Sequence, residues 1–194
     1  MSSSYDYDLI VIGAGIAGMV SAVTASGLGK RVAVIEKNKV GGNCTNTTCI
    51  PSKALISLGH KARARDGFPG VGRPDTRLVM PQINRIVERA YRKDLPDTFE
   101  DIGITVLSGA ARFTGPSEVE VAGRVYQAAT FIIASGTRPL IPLIPGLKTV
   151  DYLTNETLYN LDDLPRSILI LGGGVDGLEY AGAFSGLGVK TTVV

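Results

Sequence analysis

Gly13-Ala-Gly15-Ile-Ala-Gly18 and Gly172-Gly-Gly174-Val-Asp-Gly177 are two copies of one pattern, G-x-G-x-x-G, and the second follows the first by 159 positions. The same offset carries Ser26-Gly27-Leu28-Gly29 onto Ser185-Gly186-Leu187-Gly188, and Val34 onto Val193. The likeness therefore runs well beyond the glycines. Each cluster follows a short aliphatic run, Tyr7–Ile12 or Ser167–Leu171, which reads as a buried parallel strand. Helix-compatible residues come next, with Gly29 or Gly188 as the stop signal. A second apolar run follows, Val32–Ile35 or Thr191–Val194. A lone glycine pattern says little, but within a strand–turn–helix–strand unit it is the dinucleotide fingerprint.

The chemistry needs these residues at this spacing. The first glycine makes the tight turn and the second lets a pyrophosphate approach bare backbone. The third lets the helix pack on the strand, and the helix N-terminus holds the phosphate charge. An acid closing the second strand takes ribose hydroxyls, and Glu36 stands there. The equivalent position of the second copy falls just past Val194, so the sequence leaves NAD and NADP undistinguished. The chain also stops inside a core strand, an unusual place for a domain boundary.

Composition narrows the field further. There are 24 glycines in 194 residues, against a usual share of about 7%, so many positions need close backbone approach or positive φ. Lys and Arg total 20 against 18 Asp and Glu, for a net charge of +2. The charges are scattered, which gives no nucleic-acid footprint and no polybasic membrane patch. No apolar run approaches the ~20 residues of a membrane helix. Asp6 and Asp8 occupy the place where a secretory leader carries cations, and the expectation is a soluble cytoplasmic protein. A single histidine excludes a site built on several.

The two cysteines lie in Gly41-Gly42-Asn43-Cys44-Thr45-Asn46-Thr47-Thr48-Cys49-Ile50-Pro51-Ser52-Lys53. In a regular helix an i, i+5 pair is too far apart for a disulfide, so the backbone must be distorted if the pair is to close. Gly41-Gly42 and Pro51 supply irregular backbone on either side, and residues from Ser52 to Arg65 read as the body of a helix. A thiol near a helix N-terminus is made reactive by stabilisation of its thiolate. Two buried, inert cysteines remain an alternative. A metal site does not fit: two cysteines and one distant histidine cannot fill a structural zinc site, and no metal is expected. His60 lies about 16 Å beyond Cys49 along a helix and reads as a surface residue.

GAGIAG with Glu36, GGNCTNTTCIPSK, FIIASGTRP and GGGVDGLEYAG, in this order and spacing, resemble the class I pyridine nucleotide–disulfide oxidoreductases over essentially the whole chain. The CIPSK ending is most like dihydrolipoamide dehydrogenases. Residues Ala110–Pro139 are also similar to mercuric-reductase-like members. The resemblance implies an α/β fold: a Rossmann-like three-layer FAD-binding domain over residues 1–150, with a parallel sheet and an antiparallel extension. A second Rossmann-like, NAD(P)-binding unit would begin at 151–194. It implies FAD held by Gly13, Gly15, Gly18, Glu36, Lys37, Gly41, Gly42, Lys53, Ala111, Ser135 and Gly136, and NAD or NADP at Gly172, Gly174 and Gly177. Cys44 would be the interchange thiol and Cys49 the flavin-side thiol of the charge-transfer complex. Lys53 would sit near flavin N5, paired with Glu179. The substrate would be a small dithiol or disulfide such as lipoamide, and the full-length protein a homodimer. The family's further domains, with their acid–base histidine, would lie beyond Val194, so these 194 residues alone are not expected to turn over.

Some residues depart from the family pattern. Asn43 stands where the family usually has Thr, and Thr47-Thr48 where it has Val-Gly. Thr45 replaces an aliphatic residue. Together they make the cysteine pocket more polar. Asp176 puts a carboxylate into the second glycine turn, which counts against phosphate binding there. Between the motifs, Phe68–Pro74 reads as a loop and Thr76 to about Glu100 as one long amphipathic helix. Asp101–Val121 and Val125–Ala134 read as short strands, and Thr137–Leu147, with three prolines, as a linker.

Overall fold

In a computed structural model the chain forms two compact units, each made from two stretches of sequence: Met1–Asn46 with Ala90–Arg138, and Thr47–Arg89 with Pro139–Val194. The structure describes residues 5–65, 75–92 and 96–194. In chain order the elements are β1 (Tyr7–Ile12), α1 (Ile16–Gly27), β2 (Val32–Glu36), α2 (Gly42–Asn46), α3 (Cys49–Arg65), α4 (Val79–Tyr91) and α5 (Pro96–Glu100). They continue with β3 (Ile104–Ser108), β4 (Arg112–Gly115), β5 (Glu118–Val121), β6 (Arg124–Ile133), β7 (Ser167–Ile170), α6 (Val175–Gly186) and β8 (Lys190–Val193).

The first unit is built on a six-stranded sheet in the order β3-β2-β1-β6-β5-β4. Strands β3, β2, β1 and β6 run parallel. Strands β4 and β5 extend the sheet antiparallel from β6. Alternation along the strands divides the core between two faces. Leu9, Val11, Val32 and Val34 pack in one cluster and Ile10, Ala33 and Ile35 in the other. Strands buried on both faces read as unbroken aliphatic runs, which is why β1 and β2 were legible in the sequence. The chain leaves β1 toward β2 on one side, while β6 lies on the other. The C-terminal end of β1 is thus a topological switch point, where open α/β sheets place their ligands. This is a Rossmann-like sheet with an antiparallel extension, as the sequence implied.

The second unit holds β7 and β8, paired in parallel from Ser167↔Lys190 to Ile170↔Val193. Its core gathers Leu55, Met80, Ile83 and Phe184, and each such side chain contributes about 1.5–3 kcal/mol by leaving water. Helices α3 and α6 approach at small residues: a Cβ on Gly59 would meet the Ala183 carbonyl oxygen at 2.7 Å, and one on Gly186 would meet the Gly59 carbonyl oxygen at 2.7 Å.

The single helix expected over Thr76–Glu100 is not formed. Thr76–Leu78 is a 3-10 turn whose Asp75 cap accepts from the Arg77 N–H, α4 ends at Tyr91, and Pro96 opens α5. Proline lacks the N–H that continued helix needs and restricts the residue before it, and it suits a first helical position. Strands β3, β4 and β5 fall within the stretch expected to contain short strands. The expected loop Phe68–Pro74 lies outside the described residues.

Candidate functional site

In the first unit, β1 is followed by Gly13, whose φ of +104° only glycine adopts without strain. There is also no room for a side chain: a Cβ on Gly13 would lie 2.2 Å from the Ala134 carbonyl oxygen at the end of β6. A Cβ on Gly18 would lie 1.8 Å from the Gly13 carbonyl oxygen, so the third glycine seats α1 on the turn. Gly15 is the N-cap of α1 and provides no side-chain cap, so the first-turn N–H groups receive no acceptor from the cap residue. A Cβ on Gly42 would come 2.7 Å from Gly15 Cα, so two bare backbones meet at the helix N-terminus. Glu36 closes β2 beside them. Its carboxylate accepts from the Ala14 N–H and the Asn38 N–H, each at 2.8 Å.

The second copy reproduces this backbone. Gly172 has φ +106°, Gly174 is an N-cap without a side-chain cap, and a Cβ on Gly177 would lie 2.0 Å from the Gly172 carbonyl oxygen. Bonds correspond at the same offset: Gly13 N–H to Ile35 O at 2.7 Å matches Gly172 N–H to Val194 O at 2.6 Å. The difference is Asp176, an acid in the first turn of α6, where α1 has none.

The cysteine segment resolves the spacing problem by breaking the helix. Helix α2 ends at Asn46 and α3 begins at Cys49, with Thr47-Thr48 between. Cys44 and Cys49 are both disulfide-bonded and neither cysteine is free. Cys49 is the first residue of the 17-residue α3. The Asn46 side chain donates to the carbonyls of Val40 and Gly42, at 3.2 and 2.8 Å. The Asn43 side chain donates to the Thr137 carbonyl at 3.0 Å, tying the residue before Cys44 to the segment carrying Ser135 and Gly136.

One turn into α3, Lys53 Nζ lies 2.9 Å from both carboxylate oxygens of Glu179 on α6. Buried Ser52 joins them: its hydroxyl donates to Glu179 at 3.4 Å and accepts from Lys53 at 3.4 Å. Cys49, Lys53, Ser57 and Lys61, four residues apart along α3, line a cleft of about 510 Å³ with Gln82 and Ile86 of α4. Next to Glu179, Tyr180 sets its hydroxyl 3.2 Å from that of Tyr159, and burial pushes both phenols above the ordinary tyrosine range.

The structure thus gathers Gly13, Gly15, Gly18, Glu36, Gly41 and Gly42 around the first turn, where the Gly41 N–H donates to the Ala14 carbonyl at 2.8 Å. Ser135 and Gly136 follow β6, and exposed Lys37 follows β2. Ala111 is half-buried against the cluster of Ile10 and Ile35. His60 is exposed, as expected. The sequence reading passed over Ser52, Gly59 and the Tyr159–Tyr180 pair. Ser52 carried a signal, standing beside Lys53 in the motif, whereas the other contacts join residues far apart in the chain. Among the described residues, no group of three or more His, Cys, Asp or Glu is arranged to hold a metal ion. Among them, too, no helix is long and apolar enough to cross a membrane.

Known proteins place these features in context. The chain is 35% identical to a mercuric reductase of Bacillus cereus over 98% of its own length and 31% of that protein's. It is 32% identical to a dihydrolipoyl dehydrogenase of Synechocystis over 100% of its own length and 44% of that protein's. The HOCl-induced flavoprotein disulfide reductase RclA of Escherichia coli superposes with a TM-score of 0.84 at 31% identity, covering 96% of this chain and 41% of that one. The chain therefore spans less than half the length of these relatives. A sequence profile of the pyridine nucleotide-disulphide oxidoreductases matches residues 7–194, and the chain belongs to that family.

Proposed function

We propose that this chain is the front part of an FAD-dependent, dihydrolipoamide-dehydrogenase-like enzyme. It moves electrons between NAD(P)(H) and a small dithiol or disulfide such as lipoamide, through the Cys44/Cys49 pair. In this reading residues 1–150 are the N-terminal part of the FAD domain and residues 151–194 open the NAD(P) domain. The full-length protein is a cytoplasmic homodimer. The observation that carries the reading is the disulfide between Cys44 and Cys49, with Cys49 opening α3 one turn before Lys53.

The residues present fit FAD. The uncapped N-terminus of α1 and the bare Gly15–Gly42 contact suit a pyrophosphate. The Glu36 carboxylate, holding one backbone bond on each oxygen, keeps acceptor capacity for ribose hydroxyls. When bound, FAD supplies two-electron exchange between a nicotinamide and the cysteine pair. Cys44 meets the substrate and Cys49 holds the thiolate on the cofactor side. Lys53, fixed by Glu179 and Ser52, presents a cation that steadies negative charge beside it. Gly172, Gly174 and Gly177 offer the second nucleotide turn, and Asp176 weakens phosphate binding there.

The test is cofactor retention. Glu36→Ala should lower FAD content at least tenfold, since a lost charged acceptor costs about 1.5–3 kcal/mol. Unchanged content would remove the assignment. A second reading, mercuric reductase, is favoured by the similarity to the Bacillus cereus protein. NADPH-dependent turnover with mercuric ion and none with lipoamide would select it.

A further inference from the structure

We propose that Thr48 is a positioning residue: its hydroxyl donates a hydrogen bond to Cys49 Sγ and holds that sulfur as the thiolate once the pair is reduced. This deepens the reading of Cys49 as the cofactor-side thiol and rests on it. The Thr48 Oγ1 lies 3.7 Å from Cys49 Sγ, within reach of a hydrogen bond to the large sulfur atom. A disulfide sulfur carries no hydrogen, so the hydroxyl is the donor. The Thr48 carbonyl accepts the Ser52 N–H at 2.8 Å, the opening bond of α3, so Thr48 is the N-cap of that helix. Its backbone is thereby fixed, and a β-branched side chain has few rotamers to choose from. The family pattern has glycine here, which supplies no side-chain donor.

The surrounding charges leave this hydroxyl a part to play. Lys53 and Lys61 line the cleft with Cys49. Glu179, reaching in from α6, is bonded to Lys53, so the lysine is shared between that carboxylate and the cleft. Gln82 and Ile86 of α4, which also line the cleft, are neutral, and Cys44, the disulfide partner, becomes titratable on reduction. A hydroxyl directed at sulfur favours the charged form and lowers the thiol pKa. Reduction by a dithiol breaks the Cys44–Cys49 bond and oxidises the dithiol to its disulfide. It leaves Cys44 as thiol and Cys49 as thiolate, with one proton released.

The experiment measures the Cys49 thiol directly, without cofactor. In a Cys44→Ser background, where Cys49 is the single thiol, the rate of alkylation by iodoacetamide is followed against pH. Adding Thr48→Val should raise the Cys49 pKa by about 0.5–1 unit, the worth of one modest hydrogen bond to the charged form. Thr48→Ala serves as a second hydroxyl-free variant, with circular dichroism confirming that each is folded. Thr48→Ser should return the pKa to within about 0.2 unit of the parent, a difference of about 0.3 kcal/mol. An unchanged pKa in Thr48→Val and Thr48→Ala overturns the proposal. So does an equal rise in Thr48→Ser, because the hydroxyl would then not be the agent. If Cys49 is not the cofactor-side thiol, the failure shows elsewhere, as a missing charge-transfer band in the FAD-loaded protein with an unaffected Thr48 series.

Discussion

Lys53 and Glu179 stand 126 positions apart in the chain, yet Lys53 Nζ sits 2.9 Å from each carboxylate oxygen of Glu179. The lysine is 62% exposed, so solvent screens the pair and its worth to stability is small. Glu179→Gln should cost under about 1 kcal/mol in urea denaturation. Electron transfer from nicotinamide to the disulfide in the full-length enzyme should fall roughly tenfold or more, because the cation is no longer held in place. A stability loss with full activity would make the pair a structural clamp.

The third glycine of each turn is required for packing. A Cβ at Gly18 would lie 1.8 Å from the Gly13 carbonyl oxygen, and one at Gly177 would lie 2.0 Å from that of Gly172. Gly18→Ala and Gly177→Ala should each destabilise by about 1–3 kcal/mol, the usual range for overpacking. FAD content should fall for Gly18→Ala and hold for Gly177→Ala. Thermal melts and flavin absorbance read both effects.

The contact between α3 and α6 depends on Gly59, because any Cβ there meets the Ala183 carbonyl oxygen at 2.7 Å. Gly59→Val should force the helices apart and lower stability by about 2–3 kcal/mol. Because Lys53 and Glu179 ride on these helices, their ion pair should loosen as well. A neutral or stabilising result in denaturant melts would show that this contact yields easily.

Acid sensitivity has a source at the start of β1. Arg31, through its side chain and then its backbone N–H, holds the Asp8 carboxyl below its ordinary value of 3.8. A folded pKa below the unfolded one gives stability that is present above 3.8 and lost as pH falls through the folded value. Asp8→Asn should therefore be less stable than the parent at neutral pH, with the gap closing on acidification. Paired urea titrations check it, and a gap that widens in acid would contradict the assignment.

Much of the fold was legible in the sequence because local signals agreed with tertiary packing. The aliphatic runs of β1 and β2 are buried on both faces, and the offset relating Gly13 to Gly172 is kept by strands, helices and individual hydrogen bonds. The expected helix over Thr76–Glu100 failed where periodicity continued but Pro96 could not. In the site, Glu36 could be read from spacing, and Lys53 only from the resemblance of the cysteine segment to a known family. The contacts of Asn43 with Thr137, Gly59 with Ala183 and Tyr159 with Tyr180 were not legible, because they depend on which distant segments the fold brings side by side. Thr48 was visible as a departure from the family pattern, but its contact with Cys49 Sγ depends on the backbone break between α2 and α3.

The most direct test of the account is the absorption spectrum of the FAD-loaded protein after limited reduction by a dithiol. The account predicts a long-wavelength charge-transfer band that is absent in Cys49→Ser and retained in Cys44→Ser. A band that survives Cys49→Ser, or no band in the parent protein, would contradict it.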